Sequence, residues 1–187
     1  MSSGYQIEDP SATYFLTFQV IDWVDIFSRK IYRDIILESF DFCRKNKGLN
    51  IWAYIIMTNH VHCILSAKDD NLPDLIRDFK RFTATKIIET IDSNNESRKD
   101  WMFKRFEFAA RRHMRNGQHQ FWTHENHAEI IFTNKFLMQK ISYIHMNPVR
   151  AGFVEKPEDW LYSSMRNYLE LPSLIEINVV DLSFSQI

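Results

Sequence analysis

The sequence predicts an α+β protein: a mostly antiparallel sheet with helices packed on its faces. Three observations carry this. The aromatic and β-branched run "TYFLTFQVI" (13–21) opens the chain as a strand. Two further apolar runs, "NIWAYIIM" (50–57) and "HVHCILS" (60–66), are separated by two residues only, as in a hairpin. Between and after them lie long stretches whose apolar residues recur at helical spacing. Hydrophobic residues make up 45% and charged residues 25%, with four glycines and five prolines, so a globular chain is expected rather than a fibrous or disordered one. At 187 residues it reads as a single domain, with a core over about 12–168 and a tail, 169–187, without an assigned role.

Taken in order, the first strand is followed by "RKIYRDIILESFDFCRKNKG" (29–48). There Tyr32, Ile35, Ile36, Phe40 and Cys43 share one helical face, and Gly48 is a stop. The hairpin comes next, joined by Thr58 and Asn59. "NLPDLIRDFKRFTATKIIETI" (71–91) predicts a second helix, with Leu72, Leu75, Ile76, Phe79, Phe82, Ile87 and Ile91 on its apolar side. "DSNNES" (92–97) reads as a polar loop, and "WMFKRFEFAARRHM" (101–114) as a third helix. A short strand is expected through "FWT" (121–123). "TNKFLMQKISYIHMN" (133–147) predicts a helix closed by Pro148, and "KPEDWLYSSMRNYL" (156–169) a last short one. No internal repeat is present.

Two cysteines, Cys43 and Cys63, are too few for a disulfide framework and sit in apolar segments. Buried reduced thiols and a cytoplasmic protein are expected, and no stretch reaches the length of a membrane span. The net charge of −1 speaks against a nucleic-acid partner, but its distribution is uneven. Residues 77–115 hold eleven of the 23 Lys and Arg against six acids, while six acids and two bases follow from Glu155 onward. A basic middle of this kind can be a phosphate-binding face or a set of solvated helix faces.

The candidate site begins with "NHVHC". On a strand, residues two apart point the same way, so His60 and His62 project together while Val61, Cys63 and Leu65 face the other side. On the 133–147 helix, Leu137, Met138, Ile141 and Ile144 cluster inward. Phe136, Gln139, Lys140, Tyr143 and Asn147 lie opposite, with Tyr143 and Asn147 one turn apart. Two imidazoles and an amide oxygen can hold Mg²⁺ or Mn²⁺ and leave positions for phosphate oxygens. The metal would polarise a phosphodiester and the phenolate attack in line. A tyrosine, with an ordinary pKa near ~10, needs the metal or a cation such as Lys140 to be activated. Each piece also has a plain structural reading: a packed histidine pair, a packed tyrosine, a helix stop. His113, His119, His124, His127 and His145 read as surface or capping residues, including those of the "HENH" run.

"MTNHVHCIL" resembles the HUH motif (histidine, hydrophobe, histidine) of the single-tyrosine transposases. "YIHMNPVRAGFVEKPEDWLYSS" is similar to the C-terminal signature of their REP-associated branch. With the opening strand, the likeness spans roughly residues 12–168 in order. It implies a sheet related to the ferredoxin-like and RNA-recognition folds, with the histidines on a central strand. It further implies metal-dependent cleavage of single-stranded DNA through a 5′-phosphotyrosine, later reversed to join strands. By motif, His60, His62 and Asn147 would be metal ligands and Tyr143 the nucleophile. Relatives recognise hairpin DNA and many act as dimers, so a stem-loop partner and a homodimer are expected. Lys80, Arg81, Arg105, Arg111, Arg112 and Arg150 are the candidate phosphate contacts. No nucleotide cofactor is expected, since the chain has no P-loop motif and exchanging a phosphodiester for a phosphotyrosine conserves bond energy. Thr58 stands where many relatives have proline.

Two other readings compete. One is a catalytically inactive hairpin-DNA-binding module of the same fold, which the intact His60, His62, Tyr143 and Asn147 set disfavours. The other is an unrelated metallohydrolase. Ile64 removes the HxHxH and HxHxD patterns, and Cys63 faces away from a zinc site shared with the histidines.

Overall fold

The computed structural model describes residues 7–112 and 118–180. His113 and Arg115, and the last part of the tail from 181, lie outside the described residues. Strands β1 (Tyr14–Gln19), β2 (Leu49–Ile56), β3 (His60–Ala67) and β4 (Glu129–Ile130) form one sheet in the order β2-β3-β1-β4. Every pairing is antiparallel, as predicted. The hairpin between β2 and β3 closes over Thr58 and Asn59, where the Met57 N–H donates to the His60 carbonyl at 2.9 Å.

Alternation along the strands sorts the side chains between two unequal layers. On one face Leu16, Phe18, Tyr54, Val61, Cys63 and Leu65 join a large core. Helices α1 (Lys30–Asn46), α2 (Leu72–Ser93) and α3 (Lys99–Arg112) supply its other side. On the other face Phe15, Ala53, Ile55, Met57 and Ile64 form a smaller cluster with Ile141 and Ile144 of α4 (Asn134–Arg150), with Leu137, Met138, Trp160 and Tyr168 partly buried against it. His60 and His62 belong to this thinly covered face by the same alternation as Ile64.

The expected faces of α1 are buried throughout, and Gly48 ends it at φ 69°, the left-handed position a glycine adopts without strain. On α2 the stripe runs Leu75, Phe79, Thr83, Ile87, so Phe82, expected on the apolar side, is 60% exposed. Thr83 replaces it in the interior and accepts a hydrogen bond from the Trp122 indole at 3.1 Å.

Four further expectations are corrected. The 92–97 loop is not simply polar, because the Glu96 side chain is fully buried. It pairs with Arg29 at 3.0 Å and accepts from the Tyr32 hydroxyl at 3.2 Å. "FWT" contributes core residues Phe121 and Trp122 and a single bridge to Val20, and the fourth strand lies later, at Glu129–Ile130. Pro148 does not close α4, which runs through it to Arg150; one missing N–H in a last turn is tolerated where the helix is packed. The last predicted helix is divided into a 3₁₀ turn at Pro157–Asp159 and the single-turn α5 (Met165–Tyr168). The stretch between them is taken by the sheet: the Ile56 N–H donates to the Tyr162 carbonyl and the Ser164 N–H to the Tyr54 carbonyl, both at 2.9 Å. Asn178 of the tail continues along the same edge, bonding Ile51 through both its backbone N–H and its side-chain oxygen. Both cysteines are buried free thiols, and among the described residues no helix is long and apolar enough to cross a membrane.

Candidate active site

The site lies where α4 meets the histidine end of the sheet, with His62 buried and His60 partly exposed. His60 and His62 have ring centroids 4.6 Å apart. The Tyr143 ring stands 5.3 Å from that of His62, and Phe15 stacks on His62 at 5.4 Å while meeting Tyr143 edge-on at 5.9 Å. The sequence pairing of strand histidines with a helix phenol is therefore a spatial one. Tyr143 is 38% exposed and open to a ligand from solvent.

Each imidazole is held by its Nδ1. His60 Nδ1 lies 2.7 Å from Asn59 Oδ1, and an amide oxygen only accepts, so His60 carries its proton on Nδ1 and leaves Nε2 with a lone pair. His62 Nδ1 lies 2.8 Å from the Thr17 hydroxyl across the β1–β3 ladder. Burial pushes the pKa of His60 down to about 4. Burial, and then the nearby charges of His60, Lys140 and His127, push that of His62 down to about 3. Both rings are therefore neutral at neutral pH, the form that binds metals.

Among the described residues no three His, Cys, Asp or Glu side chains gather as a metal cluster, and that includes the "HENH" run, whose His124 and His127 are exposed. A metal here would rest on two imidazoles and the amide of half-buried Asn147, one turn beyond Tyr143. That donor set fits Mn²⁺, which accepts nitrogen, better than Mg²⁺, which prefers oxygen.

The predicted cations fall in different places. Lys140 pairs with Glu129 at 2.7 Å and sits 4.3 Å above the Phe15 ring, beside His62 rather than over Tyr143. The cation over Tyr143 is Arg150, at 5.5 Å from the ring centre. Lys80 directs hydrogen bonds to the Thr123 carbonyl and the Asn126 side chain, at 2.9 and 2.7 Å, and so braces the loop beside β1. Arg81 and Arg112 are exposed, and Arg111 is exposed with Glu107 at 3.3 Å. Arg105 lies 3.7 Å from Asp22, next to the site.

Several contributors were not legible in the sequence. His145, expected at the surface, is buried, with Nε2 2.9 Å from Ser164 Oγ. Ser164 also accepts from the Tyr54 N–H at 2.9 Å, so one hydroxyl ties α4 to β2. The signature run after Tyr143 thus buttresses the helix that presents the phenol. Asp22 and Trp23 are both in the left-handed backbone region, at φ 51° and 55°, a strain of about 1–3 kcal/mol each for residues with a side chain.

A neutral histidine pair on a central antiparallel strand, faced by a half-exposed tyrosine on a covering helix, defines a histidine-pair, helix-tyrosine protein of the α+β class. The chain belongs to the family described as Transposase IS200 like, whose pattern matches residues 11–145 and so includes His60, His62 and Tyr143. It is 25% identical over 124 residues to the REP-associated tyrosine transposase of Escherichia coli strain K12. It is 29% identical over 114 residues to a Haemophilus influenzae protein named as a candidate of the same kind. These matches take in 65% and 60% of this chain but only 57% and 56% of those relatives. A solved REP-associated tyrosine transposase bound to a REP hairpin superposes with a TM-score of 0.61 at 19% identity. That likeness covers 98% of this chain and 96% of the other, and shows the fold.

Proposed function

We propose that this protein cleaves and rejoins single-stranded DNA beside a hairpin, as a metal-dependent transposase working through a 5′-phosphotyrosine. The observation that carries the reading is the 5.3 Å approach of the Tyr143 ring to His62, itself paired with His60. Family membership supports the transposase role, and the hairpin bound by the solved relative supports the kind of DNA.

In this reading Tyr143 Oη attacks the phosphorus and loses its proton. The bond from phosphorus to the 3′-oxygen breaks, and that oxygen leaves as a hydroxyl. The 5′ side stays on the tyrosine until a 3′-hydroxyl reverses the exchange. His60 and His62, with Asn147, would hold Mn²⁺ or Mg²⁺, which when bound supplies Lewis-acid polarisation of the phosphate. Arg150, over the Tyr143 ring, lies where its guanidinium can meet a phosphate oxygen. Thr17 and Asn59 orient the imidazoles.

The test is covalent trapping of labelled stem-loop DNA from the flanks of the gene, with Mn²⁺, followed by denaturing electrophoresis. The protein is expected to yield a labelled band that Tyr143→Phe abolishes while still binding the DNA. A band of equal strength from Tyr143→Phe would remove the nucleophile assignment. A native-gel shift without any band would make the protein a hairpin-binding module.

A further inference from the structure

Trp23 is used by no motif in the sequence, yet it is placed beside the site with unusual care. Its neighbours Ile21, Val24, Ile26 and Phe27 are buried, whereas Trp23 is 59% exposed. The left-handed backbone at Asp22 and Trp23 is what turns the indole out of the core. The ring stands edge-to-face with His60, centroids 6.1 Å apart. Asn59 joins the two: its side-chain N–H donates to the Trp23 carbonyl at 3.4 Å, and its oxygen accepts from His60 Nδ1 at 2.7 Å. A shift of the indole would therefore be felt at the imidazole.

The surroundings suit a nucleotide rather than an apolar partner. Helix α3 packs on this turn. It brings Arg105 to 3.7 Å from Asp22 and 5.9 Å from the ring centre of Trp101, a second indole that is 43% exposed. The exposed Trp23 ring, with the His60 imidazole against it and the Arg105 guanidinium held at the adjacent Asp22, can take a base on its face while the guanidinium meets that base's phosphate.

Resting on the reading of a single-strand DNA site, we propose that Trp23 is a nucleobase-stacking site for one unpaired base next to the phosphate presented to His60 and Tyr143. Stacking accepts any base, so the site fixes the register of the strand rather than its sequence.

The experiment places 2-aminopurine, one position at a time, in the single-stranded flank of a stem-loop oligonucleotide. Binding is followed by its fluorescence and by native gels, for the unmodified protein, Trp23→Ala and Trp23→Phe. The unmodified protein is expected to quench one position strongly. Trp23→Ala should lose that quenching and bind about tenfold more weakly, and Trp23→Phe should recover most of the affinity. An abasic site at the quenched position should weaken the unmodified protein equally and Trp23→Ala no further. Equal binding and quenching by Trp23→Ala would overturn the proposal while leaving the proposed function standing. Unchanged DNA binding with a loss of self-association in sedimentation would overturn it too, making this face an interface between copies. No binding by the unmodified protein would remove the proposed function, and the stacking site with it.

Discussion

Single hydrogen bonds decide what the two histidines can do. An imidazole ligates a metal through a nitrogen without a proton, so the partner of the other nitrogen sets its usefulness. For His60 that partner is Asn59, its neighbour in the chain, while for His62 it is Thr17 on the adjacent strand. Thr17→Val keeps the shape and removes the partner. It is expected to lower Mn²⁺ affinity about 10- to 100-fold by calorimetry, with an unchanged circular dichroism spectrum, and Thr17→Ser to restore it. An unaltered affinity in Thr17→Val would exclude this orienting role. The direction of His60 and His62 was legible from alternation alone, and so was the Asn59 turn beside them. Thr17 was not, because only the β1–β3 register places it opposite His62.

At the scale of elements, α4 matters most, because it carries Tyr143 and supplies Ile141 and Ile144 to the buried cluster on its side of the sheet. Its hold on the sheet is apolar at Ile141 and Ile144 and polar at His145. Ser164 serves that polar hold and the β2 edge together, meeting His145 Nε2 and both backbone groups of Tyr54. Ser164→Ala would leave the Tyr54 N–H without its acceptor in a dry place. The expected cost is about 2 kcal/mol in urea unfolding, with less covalent adduct although Tyr143 is untouched. Full stability with a lost adduct would contradict the buttress. The helical period gave α4 its inward face correctly. It could not show that Pro148 stays inside the helix, or that His145 is buried, the latter set by Ser164 and Tyr168 about twenty residues further on.

Over the whole molecule, the two faces of the sheet are covered unequally, by a large core on one and by a smaller cluster built on α4 on the other, with Tyr143 exposed beside the histidines. The free edge of β2 is covered by residues 162–164 and by Asn178, which removes an unpaired strand edge from solvent. The three-helix side is tied at Glu96, where the turn between α2 and α3 meets Arg29 and Tyr32 at the start of α1. Burial, and then the Glu96 charge, push the Tyr32 hydroxyl up to about 12, so it remains a donor at any working pH. Glu96→Ala is expected to cost about 3 kcal/mol in denaturant unfolding, the low end for a buried ion pair because Arg29 stays partly hydrated. Glu96→Gln, which keeps an acceptor for Tyr32, should cost less. Equal stability of Glu96→Ala and the unmodified protein would show that the turn contributes nothing to the packing of these helices.

The sequence by itself determined the local periods. Alternation put His60 and His62 on one side of a strand, and helical spacing put Tyr143 and Asn147 on one side of a helix, because both depend only on residues near in the chain. Only the tertiary structure decided which helix covers which face, and so brought Tyr143 to His62, Thr17 to its imidazole, Ser164 to His145 and Trp23 to His60. Those contacts join segments far apart in the chain. They exist only once the two faces of the sheet have been filled unequally, by a large core under α1, α2 and α3 on one and by a smaller cluster built on α4 on the other.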